Sequence, residues 1–327
     1  MNAASPGESL RLAVRSARSV LLTGPMFPDG DSIGACLALA VAIRHLSSAR
    51  VDVAGEIPFR YTWMPGAETI IDDEDVAGQY DLVVVLDGDC RRLPPPVEAA
   101  FHSASMRGII DHHSSTESDG YEIALIDSTA ASTCEMVYAL LLRWGVPVDR
   151  KMAALLYTGL IFDTGGFRHS NTSSETHRLA ATLLDTGLEH NPINIAVLME
   201  RRPAGLKLMG HVLERVAFHG DGAVVFGVVD QKTCTGLGCS VGDVEGIVDA
   251  MVFTRGVELA CLCVERGREL VKLSLRSRKR VDVARLAQKL CDGGGGHPRA
   301  AGVMIPESLT GLLTWLPAAL CEATIEG

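Results

Sequence analysis

The chain has no excess of basic residues. Among its 327 residues, Lys and Arg number 30 whereas Asp and Glu number 40, which gives a formal net charge of −10. Proteins that bind long nucleic acids through their phosphates are usually basic, at least locally. The acidic balance therefore argues against tight, nonspecific binding of long duplex nucleic acid. A short anionic substrate would need only a few local cations, so the composition allows one.

Long apolar runs and zinc-like cysteine pairs are also missing. No stretch approaches the roughly 18 apolar residues of a membrane-spanning helix, so we expect no membrane partner. Residues 1–18 contain no apolar core followed by a cleavage site, which predicts no secretory signal. The nine cysteines include no CxxC pair. An odd number of cysteines without that spacing is typical of buried thiols in a reducing compartment, so we expect a cytoplasmic protein.

The sequence does contain a regular alternation of short β-branched runs and helix-like stretches. In the first half, this alternation predicts an α/β fold with a layered sheet. The run at residues 81–87 is apolar throughout its interior, as the central strands of parallel sheets are. The predicted strands of this half are residues 20–23, 51–54, 81–87 and 108–111, and its predicted helices are residues 31–44, 132–144, 150–162 and 175–185.

The length of the chain favours two domains. Asn191-Pro192 and Arg202-Pro203 interrupt the pattern and indicate a linker or linking helix. We predict a first domain over residues 1–188, a linker over 189–205 and a smaller α/β domain over 206–327. The strands predicted after the linker are residues 223–229, 258–264 and 270–276, and the helices are residues 244–251 and 281–290.

Acidic and histidine residues follow several predicted strands and one predicted helix. They are Asp29, Asp31, Asp87, Asp111, His112, His113 and, after the helix at 150–162, Asp163. The carboxyl ends of the strands in an open parallel sheet are where ligands bind. Carboxylate and imidazole ligands suit manganese or magnesium, although Asp29 by itself would also fit a simple helix N-cap. Together they predict a two-metal cluster, bridged by Asp87, that activates water for attack on phosphorus.

A glycine run, Gly293–Gly296, precedes His297. Consecutive glycines allow backbone N–H groups to converge on an anion, and a flexible linker is the alternative. Arg276 and Arg278 lie two residues apart at the end of a predicted strand, and guanidinium groups bind phosphate with two parallel hydrogen bonds. The run Arg278-Lys279-Arg280 fits a solvated charged surface equally well.

The motifs taken together resemble the DHH phosphoesterase superfamily, in the branch with the DHH-associated C-terminal domain. The motifs that carry the resemblance are Pro28-Asp29-Gly30-Asp31, Asp87, Asp111-His112-His113, Ser132-Thr133-Cys134-Glu135, Asp163-Thr164-Gly165 and Gly294-Gly295-Gly296-His297. The layout is most similar to the nanoRNases. That branch contains oligoribonucleases and phosphatases of 3′-phosphoadenosine 5′-phosphate (pAp), and close relatives cleave cyclic dinucleotides or their linear products.

The resemblance implies a Rossmann-like N-terminal domain, a smaller C-terminal domain and an active site in the cleft between them. It implies a hydrolase of short oligoribonucleotides, of linear dinucleotides such as pApA, or of pAp, that uses two Mn²⁺ ions or alternatively Mg²⁺. A cyclic dinucleotide phosphodiesterase is an alternative function that the resemblance also implies. It places Asp29 and Asp87 on the first ion, Asp31, Asp87, His112 and Asp163 on the second, His113 at the scissile phosphate, and Arg276, Gly294, Gly295, Gly296 and His297 at a terminal phosphate. Exposed apolar helices such as residues 132–144 leave a homodimer open.

One position departs from the family pattern. The first motif of the family begins with a histidine three residues before the proline of Pro-Asp-Gly-Asp, and Pro25 stands there in this chain. Either waters complete the first site, or His169 replaces the missing imidazole, or the first site is weak. A weak first site would make the chain a nucleotide-binding protein without turnover, which is the alternative to a hydrolase. Two other enzyme classes fit this chain less well. A family II inorganic pyrophosphatase lacks the glycine-histidine motif that this chain contains, and a RecJ-type exonuclease is usually longer and more basic than this chain.

Overall fold

The computed structural model describes residues 5–326 and divides the chain into two compact units, with the boundary between Glu200 and Arg201. The first unit contains a five-stranded, all-parallel sheet in the order β2-β1-β3-β4-β5. Its strands are β1 (Ser19–Thr23), β2 (Arg50–Ala54), β3 (Leu82–Leu86), β4 (Met106–Asp111) and β5 (Ile123–Ile126). The α/β prediction with a parallel sheet is therefore confirmed.

Helices cover both faces of this sheet. They are α1 (Pro6–Ser16), α2 (Gly30–Leu46), α3 (Pro95–Ser103), α4 (Thr133–Trp144), α5 (Arg150–Asp163), α6 (Ser174–Asp185) and α7 (His190–Asn194), the last followed by a π-helical turn at Ile195–Met199. The larger apolar core joins α2, α4 and α5 to one face, and a smaller core joins α3 to the other. Because α2 lies between the sheet and two helices, it is buried on nearly all sides.

The strand order places a topological switch point at the centre of the sheet. The chain passes from β1 outward to β2, and then returns to β3 on the opposite side of β1 before continuing to β4 and β5. The loops that follow β1 and β3 therefore leave the sheet in opposite directions and open a crevice at their carboxyl ends, which is where open α/β sheets bind ligands. Asp29 and Asp87 lie on these two loops.

The second unit contains a mixed six-stranded sheet in the order β10-β11-β9-β8-β7-β6. Its strands are β6 (Ala217–His219), β7 (Val224–Val229), β8 (Leu259–Gly267), β9 (Leu270–Ser277), β10 (Gly295–His297) and β11 (Ala300–Ile305). Its helices are α8 (Pro203–Glu214), α9 (Gln231–Leu237), α10 (Ile247–Val252), α11 (Val283–Leu290) and α12 (Leu309–Glu326). Separate apolar cores fill the two faces of the sheet. None of the described helices combines the length and apolarity that a bilayer span requires.

Candidate metal centre

The first acidic motif forms the start of α2. Asp29 is the N-cap, and its Oδ1 accepts hydrogen bonds from the backbone N–H groups of Asp31 and Ser32 at 2.9 and 3.2 Å. Asp31, in the first turn of the helix, is fully buried. Burial, followed by the charge of Asp31, raises the pKa of Asp29 above its ordinary value. Asp29 therefore has a structural role as a cap and also lies within the electrostatic field of its neighbours.

The Asp31 carboxylate is held by the N-terminus of α4. Its Oδ2 accepts the N–H of Thr133 at 2.6 Å, and its Oδ1 accepts the N–H of Cys134 at 2.9 Å. Unpaired N–H groups at a helix N-terminus favour negative charge. Helix α5 passes so close that a Cβ on Gly159 would lie 2.3 Å from Asp31 Oδ1, so only glycine fits there. Two helices thus fix the position of this carboxylate.

Asp87 is the first residue after β3 and adopts φ of +63°. Left-handed backbone is uncommon outside glycine, and it concentrates at functional sites where the surrounding structure enforces it. The Asp87 N–H donates to Ile110 O at 3.0 Å, and its Oδ1 accepts from Thr133 Oγ1 at 3.2 Å. Burial, then the charges of Asp29 and Asp31, raise the pKa of Asp87 well above its usual range. This side chain is only 4% exposed.

His112 directs its Nε2 atom toward three carboxylates. Its Nδ1 lies 3.3 Å from Ala130 O, which is the pairing that fixes the tautomer of a metal-binding histidine. Nε2 lies 2.8 Å from Asp163 Oδ2, 3.5 Å from Asp87 Oδ1 and 3.9 Å from Asp31 Oδ2. Burial opposes protonation of this ring, but the nearby carboxylates outweigh it and raise its pKa well above the usual value.

Asp163 is the last residue of α5, where the sequence predicted a position just after the helix. Burial, followed by the charge of Asp31, raises the pKa of Asp163 to about 7. Asn171 Nδ2 and His169 Nδ1 both contact the Asp163 carbonyl oxygen, at 3.2 and 3.0 Å, and so hold the end of the helix in place.

His113 is oriented by the aspartate two residues before it. Its Nδ1 lies 2.7 Å from Asp111 Oδ1, and Thr116 Oγ1 donates to the other oxygen of the same carboxylate. Asp111 is fully buried. Burial alone would raise the pKa of Asp111, but the bonds from His113 and Thr116 outweigh it and lower that pKa. An ionised Asp111 therefore fixes the ring of His113, and the chemistry of the ring toward a substrate falls to Nε2.

The structure brings four of the five predicted metal ligands together, and one of them, Asp87, also belongs to a second group of donor atoms. Oxygen and nitrogen atoms of Asp31, Asp87, His112 and Asp163 all lie within 4.8 Å of one another, and so do ligand atoms of Asp87, Asp111 and His113. Within residues 5–326, no lysine or arginine forms an ion pair with the carboxylates of Asp31, Asp87 or Asp163. Buried carboxylates need a cation partner, so this donor set fits a divalent metal ion, and Asp87 belongs to both groups.

The remaining first-site residues have other contacts. Asp29 belongs to neither of these groups within the described range, and its Oδ1 serves the helix cap. Pro25 lines a cavity of about 20 Å³ together with Pro28 and Ser32, which is space for about one water molecule. The His169 ring packs against Gly165 and its Nδ1 contacts the Asp163 carbonyl. His169 is not among the grouped ligand atoms of the described residues.

The predicted phosphate-binding residues lie on or next to two strands of the second unit, β9 and β10, which are both paired with β11. Arg276 on β9 and His297 on β10 both pair with Ala300 of β11, so they share one row across the sheet and one of its faces. Arg276 Nε donates to Asp249 Oδ1 at 2.8 Å. The glycine run forms part of a regular strand, because Gly295 and Gly296 belong to β10.

Several contacts within the site could not be recognised from the sequence, although Thr133 and Cys134 belong to one of the motifs that carry the resemblance. Thr133 and Cys134 contact Asp31, which lies about a hundred positions earlier in the chain. Gly159 allows α5 to approach Asp31 closely. Asp111 was predicted as part of the acidic and histidine cluster, but not as the residue that orients His113. The signals available were the Ser-Thr helix start at residues 132–133, which is typical of an N-cap, and the polar spacing of Asp111, His113 and Thr116.

Comparison with known proteins identifies the family. The DHH family N-terminal domain matches residues 19–160, and the DHHA1 domain matches residues 221–320. The chain is 32% identical over 308 residues to the bifunctional oligoribonuclease and PAP phosphatase NrnA of Thermus thermophilus, covering 91% of this chain and 89% of that protein. It is 26% identical to the protein of the same name in Bacillus subtilis, covering 88% and 89%.

A solved structure agrees with this assignment. The chain superposes on an exopolyphosphatase-related protein of Bacteroides fragilis with a TM-score of 0.85 and 25% sequence identity, covering 97% of this chain and 96% of that one. The resemblance that the motifs indicated is thus confirmed over both units. The chain belongs to the DHH family of phosphoesterases and carries the DHHA1 domain after the DHH domain.

Proposed function

We propose that this protein hydrolyses short oligoribonucleotides, linear dinucleotides such as pApA, and pAp. The observation that carries the proposal is the buried group of Asp31, Asp87, His112 and Asp163 at the carboxyl edge of the parallel sheet. The names of the relatives in Thermus thermophilus and Bacillus subtilis support this substrate class.

The donor set suits two divalent ions, with Mn²⁺ preferred to Mg²⁺ because Mg²⁺ binds oxygen ligands and this site includes an imidazole. Asp31, Asp87, His112 and Asp163 would hold one ion, and Asp29 and Asp87 the other. Two such ions supply the positive charge that lowers the pKa of water and neutralises phosphoryl oxygens during in-line displacement. The Nδ1 contact of His112 with Ala130 leaves Nε2 as its ligand atom.

The remaining residues bind and orient the substrate. His113, held at Nδ1 by Asp111, would direct Nε2 toward the scissile phosphate. Arg276 and His297, in one row of the second sheet, would bind a terminal phosphate. Because Asp249 already contacts Arg276 Nε, the guanidinium is fixed before the substrate arrives and loses less freedom on binding.

The proposal is tested by Mn²⁺-dependent turnover of pAp, pApA and a cyclic dinucleotide, with a long single strand and a duplex as length controls. We expect hydrolysis of the short linear substrates, loss of activity on chelation, and little activity on the duplex. Asp163→Asn should abolish turnover, whereas Asp119→Asn, an exposed carboxylate outside the cluster, should not. No turnover of any short substrate at saturating metal would contradict the proposal.

A second candidate is nucleotide binding without turnover. Two observations favour it: Pro25 offers no ligand atom, and Asp29 lies outside the grouped ligand atoms. This candidate predicts that calorimetry detects pAp binding while the native protein leaves it intact, and that Pro25→His creates activity. Turnover by the native protein eliminates it.

A further inference from the structure

Exposed aromatic side chains concentrate on two loops beside the candidate metal centre. Within residues 5–326, five large aromatic side chains are exposed, and three of them lie on the loops after β1 and β2. These are Phe27, Phe59 and Trp63, with exposures of 64%, 81% and 40%. Strands β1 and β2 are neighbours in the sheet, so both loops leave the same edge. We call Phe27, Phe59 and Trp63 the aromatic patch.

The backbone holds Phe27 in an unfavourable conformation. Its φ is +60°, and it precedes Pro28, a position that normally forces extended backbone. Left-handed backbone is unusual for a bulky residue. The N–H of the preceding Met26 donates to Arg92 O at 2.8 Å, which ties this loop to the one after β3. The fold therefore holds Phe27 in a strained backbone conformation that exposes its ring to solvent, two residues before Asp29. Backbone strain of this kind is concentrated at ligand sites.

The second loop lies directly over the first acidic motif. Tyr61, in the short 3-10 helix Phe59–Tyr61, is buried, and its ring lies 3.0 Å from the position of a Cβ on Gly30. The exposed Phe59 and Trp63 lie two positions before and after Tyr61 in the same loop. The aromatic patch and the metal-binding carboxylates thus share one edge of the first unit.

Flat aromatic rings beside a centre that cleaves phosphoesters are suited to binding single-stranded nucleic acid. Bases stack on exposed aromatic rings without regard to sequence, because every base has a π face. The chain has a net charge of −10 and therefore little general electrostatic attraction for a polyanion. Base stacking on the aromatic rings would provide affinity that does not depend on charge. Aliphatic side chains would offer the same burial without the stacking geometry.

We propose that the aromatic patch, centred on Phe27, stacks a nucleobase of the short substrate and thereby favours nucleotides over other phosphoesters. This inference rests on the proposed function and adds a specificity element to it. The patch contributes affinity through the base, whereas the metal centre acts on the phosphate.

The test compares two probes on the full chain with Mn²⁺ present. The first is an adenine dinucleotide with a methylene phosphonate linkage, which resists hydrolysis, and the second is the same molecule with both bases removed. Phe27→Leu keeps an apolar side chain but removes the ring. We expect it to weaken binding of the first probe roughly tenfold, as for loss of one stacked base, and to leave the second probe unchanged. Phe253→Leu, an exposed ring of the second unit, is the matched control.

Trp63 provides a direct readout, because its fluorescence should change with the first probe and not with the base-free one, and this response should disappear in Trp63→Phe. Equal binding of both probes by the native protein overturns the inference. So does a concentration-dependent dimer in sedimentation velocity that Phe27→Leu abolishes, since the patch would then be an interface between copies of the chain. A native protein that cleaves pApA while failing these tests retains the proposed function and loses only the patch.

Discussion

The Asp111 carboxylate and the His113 imidazole form a hydrogen bond of 2.7 Å at the carboxyl end of β4. Thr116 donates to the second carboxylate oxygen, so Asp111 makes short contacts on both sides while remaining fully buried. A buried ionised carboxylate fixes which ring nitrogen carries the proton. We therefore assign Asp111 as a positioning residue for His113 rather than as a ligand.

Replacing Asp111 by Asn should lower kcat by roughly tenfold or more, because the ring of His113 loses the carboxylate that orients it. The Michaelis constant and the metal content should change little, because the ligand group of Asp31, Asp87, His112 and Asp163 remains. Steady-state kinetics and metal analysis of the same preparation check this. Thr116→Val removes one contact to the same carboxylate and should give a smaller loss. A matching fall in bound metal would instead make Asp111 a ligand.

In the proposed assignment Asp87 would hold both ions, so its substitution should affect all bound metal. Asp87→Ala should reduce Mn²⁺ stoichiometry at both sites, whereas Asp29→Ala should reduce it at one site at most. Titration calorimetry on chelator-treated protein measures both. The Asp29 variant also needs a stability measurement, because loss of an N-cap costs about 1 kcal/mol. Unchanged stoichiometry in Asp87→Ala would refute the bridging role.

The sequence was informative about the parts of the site that depend on local pattern. Continuous apolar strands followed by Asp or His identified Asp87, His112 and His113, because parallel strands end at one edge. The sequence left two interpretations of Asp29, a metal ligand and a helix N-cap. The structure contains the hydrogen bonds of the N-cap. The short β5 was missed because four residues, Ile123–Ile126, give too little periodicity.

The parts that depend on packing were beyond sequence reasoning. The contacts of Thr133 and Cys134 with Asp31 exist because α4 and α2 pack on the same face of the sheet. The close approach of Gly159 arises from α5 packing beside α2. The glycine run suggested an anion nest or a linker, but strand pairing with β11 organises Gly295–His297. Each of these depends on which distant element becomes a neighbour.

Arg276 should act in binding rather than in chemistry. Arg276→Ala should raise the Michaelis constant for pApA more than it lowers kcat, because a remote phosphate contact adds equally to ground-state and transition-state binding. Asp249→Asn should shift the Michaelis constant in the same direction by less, since it only loosens the guanidinium. Arg285→Ala is the control, because that arginine is exposed on α11 and has no predicted role in binding. A defect confined to kcat would reverse the assignment of Arg276.

The buried carboxylates should make the metal-free protein less stable as the pH rises. Asp163 has its pKa raised to about 7 in the fold, against about 3.9 in an unfolded chain, so folding favours its protonated form. The raised pKa of Asp87 acts in the same direction, and so does the raised pKa of His112, whose protonated form is stabilised until the pH passes that value. Asp111, with a lowered pKa, matters only in more acidic solution.

The Tm of chelator-treated protein should therefore fall as the pH rises from about 4 through about 7. Mn²⁺ binds the deprotonated ligands, so the gain in Tm on adding metal should grow over the same interval. Differential scanning calorimetry with and without metal measures both curves. Asp163→Asn removes one of the raised carboxyl groups and should flatten the metal-free curve, while Asp119→Asn should not. A metal-free Tm that rises with pH across this interval would show that these carboxylates are not destabilised by burial, and the cation requirement inferred from them would lose its basis.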